Sequence, residues 1–139
     1  MVGEVQAAQQ EIVEEFSLFD DWMDRYQYII DLGRRLPDFP EELRTEENRI
    51  RGCQSQVWLV SEQKDGRLYF RAISDAAIVS GLIALLLRLY SGREPQDILD
   101  TPPDFVQALQ LESHLSPTRS NGLSSMLQAI RGYAAEAAG

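Results

Sequence analysis

An apolar run from Ala76 to Leu87, interrupted only by Ser80, constrains the fold of this chain more than any other feature. A helix that is apolar on nearly every side must be covered by the rest of the protein. The run is also well short of the roughly 20 residues that span a bilayer, so it predicts a buried core helix. Ser74 is a suitable N-cap, and Gly92 can end the helix, near Ser91, in a left-handed conformation.

Amphipathic helices are predicted on both sides of this core helix. Apolar residues recur at helical spacing in two segments before it: Val5, Ala8, Ile12 and Phe16, and then Trp22, Tyr26, Ile29, Ile30 and Leu36. After it, helix starts are predicted at Pro95, at Pro103 and at Ser116-Pro117, because proline suits the first position of a helix. The last of these helices is expected to run to about Ala137.

Between the two sets of helices the apolar period changes to two. Residues 56–60 and 68–73 are rich in branched and aromatic side chains, and the Asp-Gly pair at 65–66 predicts a tight hairpin turn. Residues 48–51 are a candidate third strand. The order of elements predicts an α+β fold, with a small antiparallel sheet of about three strands packed against N- and C-terminal helices. We expect one domain over residues 1–139, with 1–10 a frayed or variable helix.

The charge is unevenly distributed. Residues 1–48 carry 13 acidic side chains and 4 arginines, and this imbalance equals the net charge of −9 of the whole chain. Such a surface repels phosphate backbones and anionic lipid, so neither nucleic acid nor a membrane is an expected partner. A basic protein surface is a better candidate, although these acids could simply be a solvated helix face.

A single cysteine, Cys53, and a single histidine, His114, limit the chemistry. Metal sites need three or four converging ligands, so no resident metal is expected, and adjacent carboxylate pairs are expected to be solvated or to cap helices. No disulfide can form within the chain. A lone free thiol suits the reducing cytosol, and the first ten residues lack the cationic start of a secretory signal, so a cytoplasmic location is predicted.

Cys53 is the candidate nucleophile. A lone cysteine is often a small buried apolar residue, but this one follows Gly52 and precedes a polar Gln-Ser-Gln stretch at the start of a strand, which favours an exposed loop. Gly52 permits a left-handed turn before the thiol. Arg49 and Arg51 add positive potential that favours the thiolate, unless strand alternation directs them away.

Three separated motifs carry a resemblance to a known family. They are GCQSQVW at residues 52–58, Ser-Asp-Ala at 74–76 leading to Gly-Leu at 81–82, and HLSPTRSNGL at 114–123. Together they resemble the SufE family of iron–sulfur assembly proteins, over about residues 16–135. The resemblance implies a fold like that of the IscU scaffold, in agreement with the predicted α+β order.

The resemblance also implies a function. It implies that the protein accepts persulfide sulfur from a SufS-type cysteine desulfurase on Cys53 and stimulates that enzyme. The sulfur would then pass to a SufB-containing scaffold complex for cluster assembly. The protein would then be an accessory carrier rather than an enzyme and would need no cofactor, because the pyridoxal phosphate belongs to the desulfurase.

Other motif residues are weaker candidates for partner binding or for positioning the cysteine. They are Arg51, Gly52, Gln54, Asp75 and Arg119. Asp75 is otherwise explained as a first-turn acid, and Arg119 as a surface arginine in a position that opposes the helix dipole.

Two other functions and a homodimer are left open by the sequence. Cys53 and His114 could form the dyad of a cysteine hydrolase or acyltransferase, although no oxyanion site is visible. Alternatively, the chain is a non-catalytic interaction module in which Cys53 only packs.

Overall fold

The computed structural model describes residues 3–52 and 55–139, with Glu112 and residues 117–119 described by their backbone only. In chain order the elements are α1 (Glu4–Phe16), α2 (Trp22–Arg34), β1 (Val57–Lys64), β2 (Arg67–Ser74), α3 (Ala77–Tyr90), α4 (Pro95–Asp100), α5 (Asp104–Ala108), α6 (Leu111–His114) and α7 (Pro117–Ala138). Short 3-10 turns at Glu41–Leu43 and Glu46–Asn48 connect α2 to the sheet. The α+β class predicted from the order of patterns is confirmed.

Residues 4–10, within the range expected to be a frayed or variable helix, form the first part of α1. Helix α1 starts at Glu4, and Val5, Ala8 and Gln9 are buried. The reason is packing: apolar side chains at helical spacing continue to the start of α1 and lie in the same core as Ile12. A buried polar contact adds to this, because Gln9 donates to the carbonyl of Pro102 (3.1 Å) and accepts from the Phe105 amide (2.8 Å).

The predicted hairpin is present. Strands β1 and β2 pair antiparallel from Val57 opposite Ser74 to Lys64 opposite Arg67. The connecting residues Asp65 and Gly66 both have positive φ, 54° and 78°, as type I′ turns require, and this turn matches the right-handed twist of the strands. One sheet face is buried against α3.

The expected third strand is wrong for the part of the chain that the structure describes, where the sheet has two strands. Arg49 forms an isolated bridge with Trp58, and Ile50 donates to the Val57 carbonyl (2.8 Å). The pairing goes no further because the 3-10 turn precedes it and Gly52, with φ of +90°, turns the backbone immediately after it.

Helix α3 is the buried core helix that the apolar run predicted, with ten of its residues buried. It begins at Ala77 rather than directly after Ser74, whose hydroxyl instead accepts from the Ala76 amide (3.2 Å). Gly92 adopts the expected positive φ (78°) after the helix, and its amide donates to the Leu68 carbonyl (2.6 Å). The end of α3 is thereby joined to the sheet.

Helices α2 and α3 approach each other so closely that only glycine fits at the crossing. A Cβ added to Gly81 would lie 2.1 Å from the Ile29 carbonyl oxygen, and one added to Gly33 would lie 2.6 Å from the Gly81 nitrogen. Real side-chain atoms do not approach backbone this closely. The two glycines therefore fix the distance between the helices.

Four helices follow α3, and the last of them, α7, packs against it. Helix α4 starts at Pro95 as predicted, whereas α5 starts at Asp104, one residue after Pro103, and α6 was not predicted. Helix α6 begins directly after Gln110, which has a positive φ of 55°. Helix α7 contributes buried Leu123, Met126 and Ile130 to the core.

An ion pair between α1 and α3 connects the N-terminal helix to the core helix. Arg88 donates to both carboxylate oxygens of Glu15, with Nη1 2.8 Å from Oε1, and Tyr28 also donates to Glu15. The hydrogen bond from Arg88 lowers the pKa of Glu15 below its usual value, while burial and the Glu15 carboxylate raise the pKa of Tyr28. The ionised form of Glu15 is thus the one that the fold favours.

Replacing Gly81 by alanine should destabilise the protein by about 2 kcal/mol or more, because the new methyl group forces α2 away from α3. Gly132→Ala is the matched control, since Gly132 also lies in a helix but a Cβ there meets nothing within 4 Å. Removing that helical glycine should stabilise the fold by about 0.5–1 kcal/mol. Denaturant midpoints measure both changes, and equal midpoints for the two variants would refute the close approach.

The Glu15 pair should make stability depend on pH in the acid range. A carboxylate whose folded pKa is lowered stabilises the fold fully above the pKa of an unfolded glutamate, about 4.3, and this contribution is lost as pH falls through the folded pKa. As pH is lowered from about 7 to 3, the midpoint temperature of thermal unfolding should therefore fall more steeply for wild type than for Glu15→Gln. Glu14→Gln, at an exposed neighbouring position, should follow the wild-type curve.

Candidate functional site

The segment that contains the cysteine, residues 51–56 (the cysteine segment), is held at both ends. At its start, the Arg49 to Trp58 bridge and the hydrogen bond from Ile50 to Val57 join it to β1. At its end, the Gln56 amide donates to a carboxylate oxygen of Asp75 (3.0 Å). The segment is a short connection between fixed points.

Asp75 lies between β2 and α3, one residue before the N-cap Ala76, and so outside the first turn where the sequence suggested it. Its carboxylate accepts from Gln56, and its own amide donates back to the Gln56 carbonyl (3.3 Å). This reciprocal pair fixes the backbone on the C-terminal side of the cysteine segment. Asp75 is thus placed to position the segment.

Gly52 adopts the left-handed conformation that its sequence position allowed, with φ of +90°. Its α-carbon faces α7 closely, because a Cβ built there would lie 2.6 Å from the Ser125 hydroxyl oxygen. Both the backbone conformation and the space favour glycine. Ser125 was missed by the sequence reasoning, because nothing in the local pattern of α7 indicates which of its polar residues faces the cysteine segment.

The two arginines beside the segment differ. Arg49 pairs with Glu46 three residues earlier (3.4 Å), which offsets part of its charge. Arg51 is exposed and forms no ion pair or hydrogen bond to the described residues. Arg51 therefore has the less neutralised charge of the two, and the positive potential near the thiol stays a prediction.

A cavity of about 340 Å³ lies between the start of the cysteine segment and α7. Its wall is mainly polar and carries both signs of charge, from Glu47, Asn48, Arg49, Arg51, Ser125 and Gln128. Ile50, Leu59, Ala129 and Tyr133 supply the smaller apolar part.

His114 lies in a structural contact rather than a dyad with any described residue. Its ring stacks on Trp22, with centroids 3.8 Å apart and planes 14° from parallel, and Nδ1 is 3.1 Å from the Gln110 carbonyl oxygen. These contacts agree with a hydrogen-bonding role before α7. The stack joins the start of α2 to the end of α6, and no local sequence pattern indicates it.

Three of the candidate residues lie wholly or partly outside the described residues. Cys53 and Gln54 fall between the two described ranges, and Arg119 is the third residue of α7 but is described by its backbone only. Of the remaining candidates, Arg51 and Gly52 lie in the cysteine segment, and Asp75 contacts the last residue of that segment, Gln56. Among the side chains it describes, no group of three or more His, Cys, Asp or Glu could hold a metal ion.

Comparison with known proteins identifies the family. The family model for SufE, the Fe-S metabolism associated domain, matches residues 10–134. The chain belongs to the SufE family. An uncharacterized SufE-like protein of Rhizobium meliloti (strain 1021) is 43% identical over 129 residues, covering 89% of this chain and 92% of that protein.

The SufE fold is also found among solved structures. The solution structure of a hypothetical protein from Thermus thermophilus superposes with a TM-score of 0.77, covers 94% of this chain and 95% of its own, and is 22% identical. At this identity the likeness concerns the fold. Among the described residues, no helix of this SufE-family chain is long and apolar enough to cross a membrane.

Gly52→Ala should destabilise the protein through both backbone strain and contact with Ser125. The left-handed conformation costs a non-glycine residue about 1–2 kcal/mol. Gly66→Ala is the control, since Gly66 has a similar φ of 78° but open space around its Cβ position. The additional loss for Gly52→Ala should be recovered partly by a second change, Ser125→Ala, which removes the hydroxyl oxygen and keeps a good helix former in α7. Equal stabilities of Gly52→Ala and Gly66→Ala in chemical denaturation would contradict the close approach to α7.

Proposed function

We propose that this protein is a sulfur carrier that takes persulfide sulfur from a SufS-type cysteine desulfurase onto Cys53. It stimulates that enzyme by removing its sulfur, and passes the sulfur to a SufB-containing scaffold complex in the cytoplasm. Membership of the SufE family supports a role as an accessory protein of iron–sulfur metabolism. The observation that carries the finer proposal is the short segment around the lone cysteine, fixed at both ends.

The transfer itself is a displacement at sulfur. The Cys53 thiolate attacks the outer sulfur of the persulfide on the desulfurase cysteine, a new sulfur–sulfur bond forms, and the enzyme cysteine leaves as thiolate. No external oxidant or reductant is consumed. The same displacement, with an acceptor thiolate as the attacking group, then removes the sulfur from Cys53.

The surroundings of the cysteine segment support each requirement of this chemistry. Arg51, which has no described partner, favours the thiolate by its positive potential. Ile50 and Leu59 give the cavity beside the segment a small apolar part, and the proposal places the reducible persulfide there. The hydrogen bonds between Asp75 and Gln56 hold the C-terminal end of the segment at the junction of β2 and α3.

The carrier holds no catalytic apparatus of its own in this proposal. The pyridoxal phosphate that releases sulfur from free cysteine belongs to the desulfurase, and Cys53 supplies only a nucleophile. His114 is engaged with Trp22 and Gln110, which favours carrier chemistry over a cysteine hydrolase that would need this ring as a base.

Incubation with a SufS-type desulfurase and free cysteine should add one sulfur to Cys53, detected by mass spectrometry of the intact protein and of the peptide that contains residue 53. Cys53→Ser should gain no sulfur and should not stimulate cysteine turnover. Gly132→Ala, at a position of α7 where a Cβ meets nothing within 4 Å, serves as a control and should still accept sulfur. An unmodified wild-type protein, together with stimulation by Cys53→Ser equal to that of wild type, would overturn the proposal.

A further inference from the structure

The side chain of Ser125 covers one side of Gly52. Around the position where a Cβ of residue 52 would lie, and leaving its chain neighbours aside, the atoms of the described residues within 4 Å are the Ser125 hydroxyl oxygen (2.6 Å) and the Ser125 Cβ (3.6 Å). Gly52 directly precedes Cys53 in the chain. The gap between the start of the cysteine segment and α7 is therefore set at this point by the size of residue 125.

The same side chain belongs to the wall of the cavity of about 340 Å³ beside the cysteine segment. On α7 the wall consists of Ser125, Gln128, Ala129 and Tyr133, which recur at helical spacing and form one face of the helix over about 12 Å. Ser125 is the first of them, and it contacts Gly52. It therefore lies at the end of this wall that adjoins the cysteine segment.

A structural hydrogen bond does not account for Ser125. Serine within a helix often donates to the carbonyl of the residue four positions earlier. The Ser125 hydroxyl makes no such bond, nor any other hydrogen bond to the residues that the structure describes. What distinguishes the side chain is its small size at a place where Gly52 and the cavity meet.

We propose that Ser125 is a positioning residue of the carrier, whose small side chain keeps open the passage between the cysteine segment and the cavity so that the persulfide on Cys53 is held there. This inference rests on the proposed function, which places the persulfide in that cavity. Ser125 takes no part in the sulfur exchange. A larger side chain at this position would displace Gly52 from α7 and fill this end of the cavity, which leaves the persulfide in solvent.

The test compares Ser125→Val with Ser124→Val. Ser124 is the neighbouring residue of α7, but it is exposed and lines a different cavity beside Pro103, so valine there has the same helix-propensity cost and adds no bulk at Gly52. Wild type and each variant are loaded with sulfur by a SufS-type desulfurase and free cysteine, separated from the enzyme and treated with dithiothreitol. Mass spectrometry then follows the loss of the added sulfur from Cys53.

The reagent reports how accessible the outer sulfur is. A dithiothreitol thiolate attacks that sulfur, Cys53 leaves as thiolate, and the second thiol of the reagent closes a disulfide and releases hydrosulfide. The same reaction in concentrated urea, where the cavity is lost, gives the rate for an unsheltered persulfide. Folded wild type and folded Ser124→Val should lose sulfur about tenfold more slowly than in urea, whereas folded Ser125→Val should come within about threefold of its rate in urea.

A second variant separates the size of the side chain from its hydroxyl. Ser125→Thr has nearly the shape of Ser125→Val but keeps the hydroxyl, so it should lose sulfur as fast as Ser125→Val. Thermal unfolding establishes that each variant is folded, and Ser125→Thr carries the test by itself if Ser125→Val does not fold. Wild-type protection of the persulfide in Ser125→Thr would overturn the inference in either case, because size would then not be the property that matters.

The remaining outcomes separate this inference from the proposed function. If wild type gains no sulfur on Cys53, the proposed function fails and this inference fails with it. If wild type gains sulfur but loses it equally fast when folded and in urea, or if Ser125→Val loses it no faster than Ser124→Val, the role of Ser125 alone is overturned. A folded Ser125→Val that gains no sulfur would also overturn it, because residue 125 would then act in acceptance rather than in shelter.

Discussion

The burial of α3 is the constraint on which the rest of the structure depends. Its side chains are apolar on nearly every side, so each of its faces must be covered by another element. Helix α2 covers one face at a glycine crossing, the hairpin and α7 cover others, and α1 is joined to it by the Arg88 to Glu15 ion pair. The other elements are therefore arranged around this one helix.

The candidate site follows from the same arrangement. β2 leads through Asp75 into α3, so the residue that hydrogen-bonds Gln56 lies at the junction of the sheet and the core helix. Helix α7 crosses above the core and brings Ser125 against Gly52. The cysteine segment is thus positioned by elements that are themselves fixed by core packing, while Arg51 and the cavity wall remain accessible. Functional side chains on loops are commonly held by a rigid scaffold of this kind.

Sequence reasoning predicted the helices and the hairpin well, because each depends on local signals. The Asp65-Gly66 turn, the apolar spacing of α2 and the proline at the start of α4 act within a few residues of the elements that they define. The third strand was overpredicted because local propensity could not show that Gly52 would end the pairing after one bridge. The burial of Gln9 in α1 has no local signal, because its partners Pro102 and Phe105 lie far along the chain.

The sequence by itself therefore determined the α+β order, the buried core helix, the single thiol and, through its three motifs, the SufE family. Only the tertiary structure decided that Asp75 holds Gln56, that Gly52 faces Ser125, and that Trp22 stacks on His114. The physical reason is the range of the interactions. Backbone propensity and apolar period act between near neighbours in the chain, whereas each of these contacts joins residues that only the packing around α3 brings together.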